Sequence, residues 1–168
     1  MRAILIGLFF LGLTSLSYAQ VKNIQLLSEV EVYATNYNYL KSIISNDIPV
    51  AIKLLERKVA KFDVKSLNNY NEIYDTYKVL FFIPEGNISA WYDNKNNIIR
   101  TYEKFHDVKL PIPVIKSVLK TYPNWSIESD IYLVTYQQDR GANKRYKITL
   151  SNSGKRIKIK TDENGEIL

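Results

Sequence analysis

The chain has no cysteine, a single histidine, one methionine, five prolines and six glycines among its 168 residues. Without cysteine there is neither a disulfide framework nor an acceptor thiol for a lipoprotein anchor, so the fold must be held by its own hydrophobic core. With His106 alone, no HxGH nucleotidyl-transfer signature, no HExxH zinc site and no multi-histidine metal cage can exist. A Ser-His-Asp triad would have to be built on His106, which lies in the loop-like stretch Phe105 to Lys109 with no nucleophile motif beside it. GxxxxGK and GxGxxG are both missing. Asp162, Asn164 and Gly165 lack the fuller ligand series of a calcium loop, and a hairpin turn accounts for them. The chain is therefore read as non-enzymatic, with no cofactor and no metal. Carboxylates paired only in space would leave no trace in such a reading.

What is present begins with a leader. Arg2 precedes an apolar run from Ala3 to Leu13, and small residues follow at Ser17 and Ala19, the layout of a secretory signal peptide cleaved near Ala19. The competing reading, a membrane span, needs about 20 apolar residues, which this run does not reach. The expectation is an exported protein, periplasmic or extracellular, with no stable membrane insertion once the leader is removed. The net charge of +6 includes Arg2, leaving +5 on the remainder, a moderately basic balance that favours acidic partners. A chain of this size buries roughly two thirds of its unfolded surface, so an ordinary core suffices.

Residues 146 to 168 align without a gap on residues 77 to 99. Tyr77, Lys78, Ile88, Asp93 and Ile98 fall on Tyr146, Lys147, Ile157, Asp162 and Ile167. Both stretches alternate apolar residues into a Gly-bearing turn, alternate again, and turn after an Asp, which reads as three antiparallel strands. Upstream, Ile52, Leu55, Val59 and Phe62 mark one face of a helix for which Asp47 is the candidate cap and Pro49 a tolerated first-turn residue. Ile115, Val118, Leu119 and Tyr122 mark a second helix, stopped at Pro123 and Asn124. Trp125 to Tyr136 reads as a strand leaving that helix, and Gln137 to Lys144 as a hairpin loop. Asn164-Gly165 signals a type I′ turn, and Glu29 to Tyr33 alternates as a short strand. The expected fold class is α+β: two repeated units, each a helix packed on an antiparallel meander of about four strands, with the sheets able to run on into one another. The divisions are 1–19 signal peptide, 20–46 N-terminal segment, 47–107 first unit and 108–168 second unit.

The stretches LPIPVIKSVLKTYPNWSI, YLVTY, YKITL and KIKTDENGEIL resemble the PepSY-like, beta-lactamase-inhibitor-protein-like domains of secreted bacterial proteins. The resemblance covers Leu110 to Leu168 well and Ile48 to Ile99 less well, where Lys58 to Lys61 replace the helix-ending Tyr-Pro and Asn96 the turn glycine. It implies a tandem helix-plus-sheet protein whose relatives bind other proteins through an exposed sheet face. It carries over no catalytic residue.

Strand alternation assigns the faces. If Tyr77, Val79 and Phe81 meet the helix, then Lys78, Leu80 and Phe82 point away from it, as do Asn87, Ser89 and Trp91 on the next strand. The corresponding outward positions later in the chain are Lys147, Thr149, Arg156, Lys158 and Lys160. Leu80, Phe82 and Trp91 are candidate anchors, with Lys147, Arg156, Lys158 and Lys160 as steering charges for a protein or peptide partner of acidic character. Two blander readings stay open. Leu80, Phe82 and Trp91 can be covered by the segment from Val21 to Tyr39. The eight Lys and Arg between Arg140 and Lys160, unbroken by an acid, can serve only to guard strand edges. Nucleic acid is set aside because those basic residues are not interleaved with exposed aromatics. Other classes are an envelope component binding membrane or wall polymers and an enzyme of unrecognised type. The oligomeric state is not legible.

Overall fold

In the computed structural model, residues 36–45 and 47–168 are described. The expected signal peptide, the strand at Glu29 to Tyr33 and most of the N-terminal segment lie outside them. Six strands follow one another in a single antiparallel meander: β1 (Thr76–Ile83), β2 (Gly86–Asp93), β3 (Ile98–His106), β4 (Ser126–Gln137), β5 (Gly141–Asn152) and β6 (Lys155–Asp162). Three helices, α1 (Tyr37–Ile43), α2 (Val50–Lys61) and α3 (Ile112–Thr121), complete the described elements with a 3₁₀ turn at Val64–Ser66.

This corrects the expected pair of repeated helix-plus-four-strand units. Residues 62 to 75, where the first unit needed a strand leaving its helix, form the 3₁₀ turn and bends around Asn71, whose carbonyl accepts the Tyr77 hydroxyl. At the other end, Ile167 makes only an isolated bridge to Thr161. What the two aligned stretches share is a hairpin: Tyr77 pairs with Tyr92 and Phe81 with Ile88, as Tyr146 pairs with Thr161 and Leu150 with Ile157. The likeness ends there because β3 goes on to pair with β4, from Arg100 opposite Gln137 to His106 opposite Ile131, and this ladder makes one sheet of all six strands.

All three helices contribute to the core on one side of the sheet. The 3.6-residue period of α2 buries Ile52, Leu55 and Val59, and α2 packs on β1 and β2 while α1 packs on β4 and β5. The predicted cap at Asp47 is not used. Pro49 is the N-cap, its extended φ of −55° and ψ of 147° leading directly into the helix. In α3 the buried stripe is Val114 and Val118, so the predicted face is rotated by one position, and Leu119 is exposed. Strand alternation supplies the other half of the core, with Tyr77, Phe81, Ile88, Ala90, Tyr92, Phe105, Tyr132, Val134, Tyr146, Ile148 and Leu150 all buried.

The two Asp turns are three-residue loops, not the expected type I′ hairpin. Only Gly165 (φ 89°) takes the left-handed conformation, Asn164 does not, and Asn96 (φ 71°) fills the matching place after Asp93. Asp162 Oδ1 accepts from the amides of Asn164 and Glu166 at 2.9 and 2.8 Å. A side chain on Gly165 would also stand 2.7 Å from the Pro113 carbonyl oxygen, so α3 seats directly on this turn.

Candidate functional site

Among the described residues no helix covers the second face of the sheet, and the residues of that face follow from the pleat. On β1 they are Lys78, Leu80 and Phe82, on β2 Asn87, Ser89 and Trp91. A bulge at Ile99, where the partners step from Tyr92–Ile98 to Trp91–Arg100, brings Arg100, Tyr102, Lys104 and His106 of β3 to the same side. Register then continues through Thr135 and Leu133 of β4, Arg145 and Lys147 of β5, and Lys158 and Lys160 of β6.

Leu80 is 57% exposed and Phe82 76%, so the segment from Asn36 to Tyr39 does not cover them; α1 lies on the helix side, where Tyr39 is buried. Trp91 is half-buried for a different reason. Cross-strand register sets Lys78 on one neighbour and Arg100 on the other, with Lys78 Nζ 5.0 Å and the Arg100 guanidinium carbon 4.2 Å from the indole centroid. Such contacts contribute roughly 0.5–2 kcal/mol each and hold the cations over the ring. An arginine held over a ring by cation–π attraction can still present N–H donors to a carboxylate. Beside this cluster runs a shallow groove of about 320 Å³ whose walls include Trp91, Arg100, Tyr102, Thr135 and Gln137.

The basic half is less uniform than its sequence suggests. Arg156 is in a two-bond ion pair with Glu128, Nε to Oε2 being 2.8 Å. Lys147 is half-buried, whereas Lys158 and Lys160 are exposed on the edge strand. Lys144 is on the opposite face, where Nζ donates to the Ile44 carbonyl at 3.1 Å and pairs with Glu163 at 3.5 Å. Three acids at the margin are engaged: Glu128 by Arg156, and Asp93 and Asp162 by the amides of their own turns. Cations predominate among the outward residues of the strands, and Arg100, Lys104 and Arg145 belong to them although sequence inspection passed over them. Reading β3 for alternation would have found the first two. Arg100 and Lys104 interleave with Trp91 and Tyr102, an arrangement outside the Arg140 to Lys160 run on which nucleic acid was set aside.

A second polar cluster lies inside the helix layer. Glu103 of β3 is fully buried, and its Oε1 accepts from the Tyr39 hydroxyl at 2.9 Å and the Thr101 hydroxyl at 2.8 Å. Burial pushes its carboxyl up to about 7, against the pull of those two hydrogen bonds and of Lys144. Glu56 of α2, 4% exposed, is pushed up to about 8 by burial and then by the charge of Glu103. Glu56 Oε1 and Glu103 Oε2 have no hydrogen-bond partner among the described residues. Glu103 has no open path to a substrate, which is the reverse of what an acid–base dyad requires. His106 is exposed, on the outer face.

Among the described residues, no group of three or more His, Cys, Asp or Glu is placed to hold a metal ion, and no helix is long and apolar enough to cross a membrane. No family model matches the chain, and no curated protein matches it. Among solved structures it is similar to a BLIP-like protein from Bacteroides fragilis NCTC 9343, at 14% identity over 58% of this chain and 76% of that one, with a TM-score of 0.30. A likeness at that level says nothing about which surface acts or on what.

Proposed function

We propose that the chain is an exported binding module that docks an acidic protein partner on the sheet face opposite its described helices, with no chemistry of its own. The observation that carries this reading is the Lys78–Trp91–Arg100 cluster beside exposed Leu80 and Phe82, on a face where Glu128 is already paired with Arg156. Aromatic and apolar groups there contribute affinity on desolvation, and Arg100 offers in-plane donors to a carboxylate of the partner. Lys147, Lys158 and Lys160 add long-range steering that accelerates encounter without setting its lifetime. Arg156 contributes less, because Glu128 neutralises it. In a narrower form of the proposal the partner is a secreted hydrolase, which this face inhibits or regulates.

Protein is favoured over nucleic acid by the state of the indole. Lys78 and Arg100 already lie over the indole, so a base stacking on Trp91 would compete with them. The test is capture from an envelope extract, followed by affinity measurement on the protein recovered. Trp91→Ala is expected to weaken binding at least about ten-fold while leaving the circular dichroism unchanged. Lys158→Glu with Lys160→Glu is expected to slow association and flatten its salt dependence. A folded Trp91→Ala variant that binds at wild-type affinity sinks the docking face, and tight binding of single-stranded RNA in place of any protein reassigns it. Export is checked separately, by fractionation and by sequencing the amino terminus of the secreted product.

A further inference from the structure

The two edges of the sheet are built differently. Along β6, Lys155, Arg156, Lys158 and Lys160 place charges on the edge strand, and the chain returns over it, Leu168 donating its amide to the Lys160 carbonyl at 2.9 Å and Ile167 bridging Thr161. That is how folded proteins discourage edge-to-edge pairing. Among the described residues β1 has none of this. Its eight residues, Thr76 to Ile83, contain no proline, no bulge in the ladder to β2, and one charge. That charge, Lys78, is drawn inward over Trp91 and so does not guard the edge. Beyond the β2 ladder, no backbone or side-chain hydrogen bond to the main chain of residues 76 to 83 occurs among the described residues.

The flanks of β1 are finished on one side and bare on the other. On the helix side Phe62 packs edge-on against Phe81 at 5.2 Å, and Tyr70 stacks on Tyr77 at 5.3 Å, so the inner residues already have partners. On the outer side Leu80 and Phe82 stand exposed, and just before the strand Ile73 is 82% exposed. A row of main-chain groups that no described residue pairs, flanked by such side chains, is a template for one more strand.

We infer that β1 pairs antiparallel with β1 of a second copy of this chain, joining two sheets into one. The strand is complementary to itself. A two-fold axis at Phe81 sets Leu80 opposite Phe82 of the other copy and Val79 opposite Ile83, keeps inner residues with inner and outer with outer, and leaves Lys78 facing no like charge. Charge distribution points the same way. The cations of β6 lie five strand spacings from β1, about 24 Å, which is two to three screening lengths at physiological salt. Two basic copies therefore meet at their least charged ends.

The experiment is sedimentation of the purified protein, with no partner present, from micromolar to sub-millimolar concentration. This separates it from the docking proposal, which is read by partner capture. A reversible dimer is expected. Leu80→Lys with Phe82→Lys should weaken it at least ten-fold, whereas Thr149→Lys, on the same face but at the far end, should leave it intact. Amide exchange on the unaltered protein gives a second reading that needs no variant: protection within residues 79 to 83 should rise with protein concentration. A monomer at every concentration, a dimer indifferent to the double substitution, or equal loss from Thr149→Lys overturns the inference. So does protection of β1 that appears only when a partner protein is added, which would give the edge to an extended segment of that partner.

Discussion

Burial of Glu103 makes the stability of this protein fall as pH rises, and the size of the effect follows from the structure. Its carboxyl goes from an ordinary 4.5 to about 7 in the folded state. The folded state thus binds the proton more tightly than the unfolded chain, so the associated stability is fully present below about 4.5 and is lost as pH climbs through about 7. At about 1.4 kcal/mol per unit, the rise is worth on the order of 3 kcal/mol. Glu56, raised from 4.5 to about 8, acts in the same direction, and the two are coupled because each disfavours the charge of the other. Glu103→Gln removes one of the pair. Its amide oxygen still accepts from Tyr39 and Thr101, while its NH₂ takes the place of Oε2, which has no partner, at a pH-independent cost of about 1–3 kcal/mol. Urea unfolding followed by circular dichroism from pH 5 to 9 should show the wild type losing several kcal/mol and the variant distinctly less. The variant should be the weaker protein at pH 5, with the gap closing or reversing by pH 9. Parallel curves, or a wild type that gains stability over this interval, would refute the argument.

Two further substitutions test the turns that seat the helices. Gly165→Ala places a methyl group 2.7 Å from the Pro113 carbonyl oxygen at a φ of 89°, and should cost roughly 1–3 kcal/mol in urea unfolding. Asn96→Gly relieves a φ of 71° but deletes a side chain that accepts from the Val64 amide at 2.9 Å and donates to the Phe62 carbonyl at 2.9 Å. It is expected to destabilise by about 1–2 kcal/mol, where backbone conformation alone predicts a gain. A more stable Asn96→Gly protein would show that those two bonds contribute nothing net.

Which side of β1 and β2 faces the helices was legible without coordinates. The alternation at Tyr77–Phe82 and Ile88–Tyr92 settles it, because successive side chains of an extended backbone point to opposite faces whatever the strand pairs with. The apolar stripe of α2 was legible on the same local grounds. How many strands there are, and that β3 goes on to β4 so that all six form one sheet, was not. Neither was the placing of Arg100 over Trp91, nor the meeting of Glu56 with Glu103 beneath α1. Each of these depends on register between segments far apart in the chain, and a pairing of that kind is chosen by the burial and hydrogen bonding of the whole, of which no short stretch of sequence carries a record.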